Sequence, residues 1–268
     1  MDAPEDLAEL VDDVCRDWSL VLGAPYGDAS VSYTAAVRMA DGTDAVLKVQ
    51  FPHRECEHEA EALRRWDGDG AVRLLAHDPV RHALLLERCA PGDHLASVAG
   101  PDALDVLVGL LPRLWIDAGP PFDTLTDESE LWVEHLGDPA RFAGIDRDLV
   151  DAAVGLLRDL GSSQSSSVLL HQDLHGDNVL AAAREPWLVI DPKPLVGERE
   201  FSAAPIVRSI EFGATRDDVR YRLDRLCADL DLDRDRARGW TIGHTVAWMD
   251  DSTQPDWCAN VVRWLLEP

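Results

Sequence analysis

Residues 168–195 read VLLHQDLHGDNVLAAAREPWLVIDPKPL, three short apolar runs parted by polar segments. The runs are Val168–Leu170, Val179–Ala183 and Trp187–Ile190, and Arg184-Glu185-Pro186 makes the turn between the second and third. Short β-branched runs separated by turn chemistry read as strands. Two antiparallel strands joined by that turn begin and finish at one end of the hairpin. This predicts Asn178, just before the first, beside Asp191, just after the second, with Asp173 on the loop that feeds them. Two carboxylates and an amide oxygen converging there suit a hard divalent cation and leave one carboxylate to serve as a base.

The spacing Asp173-x-x-x-x-Asn178 is that of a kinase catalytic loop, with Asp191 in the place of the later Mg²⁺-binding aspartate. The wording HQDLHGDN resembles the HGDLHxGN of aminoglycoside phosphotransferases and their small-molecule kinase relatives. IDPKPLVGERE, which follows, is more specifically similar to the family of aminoglycoside and hydroxyurea resistance kinases, which includes streptomycin 6-phosphotransferases. The likeness extends to ADGTDAVLKVQFPH, EAEALRRWDGDGAVRLLAHDP, ALLLERCAPG and the late GHTVAW. It implies an α+β, protein-kinase-like two-lobed fold. It also implies an O-phosphotransferase that uses ATP (GTP is left open) and Mg²⁺ on a hydroxyl of a small-molecule antibiotic, and so confers resistance. A streptomycin-type aminoglycoside is the first expected acceptor, and hydroxyurea or another hydroxylated metabolite the alternative. Gln172 replaces the family's glycine beside the base and narrows the transfer of any one substrate.

The chain has 268 residues, 46% hydrophobic and 28% charged, enough for a large core in one domain or two lobes. No apolar run approaches a membrane span, and the acidic MDAPED start is unlike a signal peptide, so a cytoplasmic location is expected. The five cysteines are scattered without a CxxC, which favours core thiols over disulfides or zinc. A net charge of −25 repels nucleic acid and anionic membrane and attracts cations; it fits solubility as well as steering of a polycationic substrate, and charge alone does not choose between them. The expected partner is a small, cationic substrate, and the chain is expected to be a monomer. Only Lys48 and Lys193 are lysine among the 25 basic residues. In a chain that otherwise writes arginine, each marks a position that wants a compact ammonium.

Along the chain, Pro4–Leu22 carries helical periodicity, Val31–Met39 and Ala45–Phe51 read as strands about a turn, Arg54–Trp66 as a helix, and Val72–Ala76 and Ala83–Cys89 as a hairpin. The pattern is that of five strands with one inserted helix. From Pro91 onward amphipathic helical runs dominate. The expected division is an N-lobe over 1–88 and a C-lobe over 89–268. A nucleotide is expected between them, near Glu87 and Cys89.

Lys48 sits within a strand, suited to hold two phosphates if a carboxylate orients it. Glu57, Glu59 and Glu61 follow on the helix, and they cannot all face the sheet. By resemblance to the family's E-x-x-x-L pattern, Glu59 is the partner. The segment 25–32 lacks a GxGxxG, leaving Ser30 and Ser32 as candidate phosphate contacts. Asp173 is the expected base and Asn178 and Asp191 the metal ligands. Glu198, Glu200, Asp250 and Asp251 are candidate contacts for a dicationic sugar, each with the alternative of being an ordinary surface acid. Lys193 is left between a γ-phosphate contact and a loop anchor. Two other classes fit the pattern less well. His171 and His175 imitate HExxH, but the acid is at the third position and no helix is expected there. A pseudokinase would usually lack one of Lys48, Asp173, Asn178 and Asp191.

Overall fold

Leu7, Leu10, Val11 and Val14 recur at helical spacing and form the inner face of α1 (Leu7–Asp17). The helix ends where Ser19 takes a left-handed φ of 54° and the Leu20 amide donates to the Cys15 carbonyl at 2.8 Å. The chain then enters strand β1 (Val21–Pro25). The apolar period through Trp18, Val21 and Leu22 had extended the expected helix to Leu22. Val21 is instead 69% exposed, on the outer strand of a sheet. The computed structural model describes residues 7–27, 32–142, 144–250 and 252–267. They fall into two compact units, Met1–Asp93 with Leu180–Pro192, and His94–Val179 with Lys193–Pro268.

In the first unit, β1 is joined by β2 (Ser32–Arg38), β3 (Asp44–Gln50), β4 (Leu74–Asp78) and β5 (Ala83–Glu87), in the antiparallel order β1-β2-β3-β5-β4. β3 is central. Ala45, Leu47 and Val49 point from it into the core under α1. Lys48, one residue out of phase and paired across the sheet with Thr34 and Leu84, points to the other face. A short 3₁₀ turn at Arg54–Cys56 leads to α2 (Glu59–Trp66), which lies on that second face. The hairpin of β7 (Val179–Ala181) and β8 (Trp187–Val189) runs mostly through this unit. Its backbone is tied in by Val72 N–H to the Val189 carbonyl (3.0 Å), Val189 N–H to Gly70 (2.9 Å) and Gly92 N–H to Ala181 (2.9 Å). The sequence had placed residues 180–192 wholly with the C-terminal part.

The second unit is mainly helical: α3 (Gly100–Leu114), α4 (Leu125–Leu136), α5 (Arg147–Gly161), α6 (Ala203–Arg208), α7 (Arg216–Leu230), α8 (Arg234–Ala247) and α9 (Pro255–Leu266). Helix α8 is buried continuously from Gly239 to Ala247. A Cβ at Gly243 would stand 2.7 Å from the Leu157 side chain, so glycine there sets how closely α5 and α8 pack. Strand β6 (Val168–Leu170) pairs antiparallel with β9 (Leu195–Gly197), a strand the sequence reading did not separate from IDPKPLVGERE. Among the described residues no helix is long and apolar enough to cross a membrane.

Candidate active site

Within the first unit, alternation along β3 delivers Lys48 and Gln50 to the face covered by α2. Lys48 Nζ lies 2.7 Å from a Glu59 carboxylate oxygen, and the Gln50 amide donates to the same oxygen. Lys48 also donates to Asp191 Oδ1. Glu59 is 1% exposed, whereas Glu57 is exposed and Glu61 is taken by Arg64 and Arg65. The lysine's partner among the three glutamates is therefore Glu59. Burial alone would disfavour the Lys48 ammonium, but Glu59 and Asp191 outweigh it and raise its pKa above the ordinary lysine value. Asp191 holds a left-handed φ of 56°, a conformation costly for a non-glycine residue.

Within the second unit, the loop after β6 places Asp173 among cations. Lys193 Nζ lies 3.2 Å from Asp173 Oδ2 and the Arg208 guanidinium 3.5 Å from Oδ1, so each oxygen faces a different cation. Both cations also lie over one indole ring, Trp248, at 4.5 Å for Lys193 and 5.1 Å for Arg208. That ring also packs against His244, fully buried and held neutral by burial and by the charge of Arg208. Burial would raise the Asp173 pKa; Lys193, His175, Arg208 and His171 together carry it well below the usual carboxylate range. The Asn178 amide donates to the Asp173 backbone carbonyl at 2.8 Å, which fixes that side chain and turns its oxygen away from the bond. Gly176 approaches Ala96 so closely that a Cβ would lie 2.7 Å from its backbone nitrogen. Its N–H donates to Glu211 Oε1 at 3.0 Å, and His175 Nδ1 lies 3.5 Å from the same atom. Burial would raise the Glu211 pKa, but the contacts from His175 and Gly176 lower it to about 2.

These side chains open on a cavity of about 400 Å³ lined by Asp173, His175, Arg208, Glu211, Trp248 and Trp257, with smaller polar residues of the segment after α8. It lies entirely within the second unit. It joins a buried, ionised carboxylate to aromatic walls and a polar rim, the setting expected where a small hydroxylated molecule docks. The model for aminoglycoside/hydroxyurea antibiotic resistance kinases matches residues 18–252. The chain belongs to that family. It is 39% identical over 251 residues to a streptomycin 6-kinase of Streptomyces glaucescens (88% of this chain, 80% of the relative). It is 38% identical over 252 residues to a hydroxyurea phosphotransferase of Kitasatospora aureofaciens (90% and 72%). Among solved structures it resembles choline kinase LicA from Streptococcus pneumoniae (TM-score 0.70, 12% identity, 98% of each chain). It also resembles a thermostable mutant of aminoglycoside phosphotransferase APH(4)-Ia with ADP and hygromycin B (TM-score 0.65, 13% identity, 96% and 99%). The fold is thus the α+β, protein-kinase-like one, and the protein is a small-molecule phosphotransferase with an alcohol group as acceptor.

For a family member whose substrate could be dicationic, the placement of the outer acids is a correction. Glu198 is fully buried, bridged to Arg236 at 2.8 Å and hydrogen-bonded by Trp240. Glu200 is 5% exposed and accepts from the Asp233 amide, and Asp250 is held by His135 (3.0 Å) and Arg141 (3.3 Å). None of the three lines the cavity. They are acids that hold the second unit together rather than a cationic subsite. The Glu87 carboxylate, expected near nucleotide, is gripped by Arg184 at 2.9 Å through both oxygens and by the Arg73 amide at 3.0 Å. Cys89 is half-buried, its thiol pushed up to about 11 by burial. Ser32 is buried at the start of β2, while Ser30 and Asp251 lie outside the described residues. His171 and His175 lie on a non-helical loop, so they do not share a face as HExxH requires. The sequence reading missed Arg208, Glu211 and Trp248. Trp248 belongs to the late GHTVAW, yet only tertiary packing brings it to the cations that face Asp173.

Proposed function

We propose that the protein transfers the γ-phosphoryl group of ATP to a hydroxyl of a streptomycin-type aminoglycoside. The observation that carries this reading is Asp173, kept ionised by two cations at the floor of an acceptor-sized cavity, in a chain 39% identical to a streptomycin 6-kinase. In the reaction, Asp173 accepts a hydrogen bond from the acceptor hydroxyl and aligns its oxygen. The bond from that oxygen to the γ-phosphorus forms, the bond to the bridging oxygen of ADP breaks, and the hydroxyl proton passes to Asp173. A carboxylate of such low basicity takes the proton late, which suits the loose, metaphosphate-like transition state of phosphoryl transfer. Lys48, oriented by Glu59, holds the non-transferred phosphates.

By the family's pattern Asp191 and Asn178 would hold Mg²⁺, Asp191 through its carboxylate and Asn178 through the amide oxygen that its bond to Asp173 leaves free. Mg²⁺ typically takes one or two such protein oxygens and completes its shell with phosphate and water. Bound Mg²⁺ would neutralise phosphate charge.

A second reading is favoured by the cavity itself. Among the described residues two carboxylates line it, Asp173 and Glu211, and both are already ion-paired. A compact acceptor with little charge fits that balance, and the relative that phosphorylates hydroxyurea is 38% identical. Mg²⁺-dependent ADP release measured against streptomycin, other aminoglycosides, hydroxyurea and no acceptor decides between them, with the product identified by mass. Asp173→Asn should abolish phosphorylation while nucleotide binding survives; full turnover by that variant would sink the base assignment.

A further inference from the structure

Arg208 is costly where it stands. Its side chain is 17% exposed, and burial lowers its pKa from the ordinary arginine value. A guanidinium carries five N–H donors. Among the described residues the Arg208 side chain makes no hydrogen bond; its one salt-bridge partner, Asp173, stands 3.5 Å away, beyond good hydrogen-bond length, and Glu211 acts on it from further off. Arg208 lines the cavity. The arginine is nonetheless well placed: its backbone carbonyl accepts from Trp257 Nε1 at 2.7 Å, and its guanidinium lies over the Trp248 ring. A fixed, largely buried cation with unspent donors is what a protein keeps for a ligand anion.

Charge balance points to the same conclusion. Here two carboxylates, Asp173 and Glu211, face Lys193, Arg208 and His175, one more cationic group than carboxylate when His175 is protonated. Burial would lower the His175 pKa, but the contact with Glu211 raises it. We propose that Arg208, seated on Trp248, is a catalytic residue that takes an equatorial oxygen of the transferring phosphoryl group. This rests on the reading of Asp173 as the group that holds the acceptor hydroxyl. The phosphorus bonds to the oxygen that Asp173 holds at ~2.7 Å. The guanidinium lies 3.5 Å from Asp173 Oδ1 and Arg208 lines the cavity, so phosphoryl oxygens arriving there meet donors that are already oriented and largely buried. Such donors contribute chiefly in the transition state. Trp248 acts through Arg208 and is a positioning residue.

The test uses the full chain and two independent readouts. In the first, ADP affinity is measured with Mg²⁺, with and without aluminium fluoride, a mimic of the phosphoryl group in flight. Wild type should tighten at least tenfold, Arg208→Gln less than threefold, and Arg208→Lys between the two. In the second, with streptomycin as acceptor, Arg208→Gln should lower kcat by ~10²–10³-fold with KM changed less than threefold, the scale seen when one oriented oxyanion donor is lost. Guanidinium chloride should restore part of the kcat of Arg208→Ala, and Trp248→Phe should retain more kcat than Trp248→Leu. Full tightening by Arg208→Gln, or none by wild type, overturns the proposal. A rise in KM with kcat intact also overturns it and assigns Arg208 to acceptor binding. If Arg208→Gln melts at the assay temperature, Arg208→Lys decides on the same criteria. If wild type does not phosphorylate streptomycin, that acceptor assignment falls, and the aluminium fluoride comparison still decides Arg208.

Discussion

Replacing Arg184 by methionine tests whether the Glu87–Arg184 pair is a clamp rather than part of a nucleotide site. Arg184 donates to both Glu87 oxygens at 2.9 Å, to the Gly68 carbonyl at 2.7 Å and to the Ala71 carbonyl at 2.9 Å. The two side chains are 23% and 19% exposed, so solvent screens the pair only in part. Hydrogen bonds to charged groups contribute ~1.5–3 kcal/mol each in favourable settings. Removing one partner of a largely buried pair costs roughly 3–5 kcal/mol, because the other charge is left behind. Partial exposure puts Arg184→Met at the lower end, about 3 kcal/mol. Glu87→Gln keeps an acceptor for Arg184 and for the Arg73 amide and should cost about 1–2 kcal/mol. Urea unfolding of both single variants and the double variant gives the coupling, expected at about 1.5–3 kcal/mol. Because β8 leads directly to Asp191, the partner of Lys48, Arg184→Met should also lower kcat. A coupling below ~0.5 kcal/mol would refute the clamp. So would a rise in KM for ATP in Glu87→Gln that Arg184→Met does not share, since that would mean Glu87 meets the nucleotide.

Two further outcomes are expected. Gln172 combines a left-handed φ of 66° with a buried amide nitrogen that has no hydrogen-bond partner among the described residues. Gln172→Gly should relieve ~1–2 kcal/mol of backbone cost and an unmet amide worth ~1–3, against two buried methylenes at ~0.8 each and 0.5–1 for glycine's chain entropy. The balance is a gain of about 1 kcal/mol, a rise of roughly 2–4 °C in Tm by scanning calorimetry; a drop in Tm would show that the side chain is held. Glu211 has a folded pKa of about 2 against an ordinary 4.5. Its pKa is depressed in the folded state, so its stabilising contribution is present above 4.5 and is lost as pH falls towards 2. Glu211→Gln should flatten the stability profile between those values, and an unchanged profile in thermal melts across that range would remove Glu211 as its source.

The sequence made legible whatever depended on local pattern. Alternation put Lys48 on the face away from the α1 core, and the apolar runs around His171–Asn178 marked that segment as a loop between strands, because strands and turn chemistry are written in adjacent residues. Assignments failed where a local pattern admitted two packings. Trp18, Val21 and Leu22 satisfy a helical period, but a left-handed Ser19 turns the chain and makes them the approach to an edge strand. Acids failed for a deeper reason. In a chain of net charge −25 any glutamate near a motif resembles a cation site, and nothing in the letters separates Glu198, buried against Arg236, from Glu211, which lines the cavity. What separates them is where the arginines go. Arg236, Arg184 and Arg141 are spent on internal carboxylates, whereas Arg208 keeps its donors unspent beside Asp173. In a protein this acidic, then, the informative group at the site is a cation without its full set of partners rather than one more carboxylate, and that property appears only once every other partner has been placed.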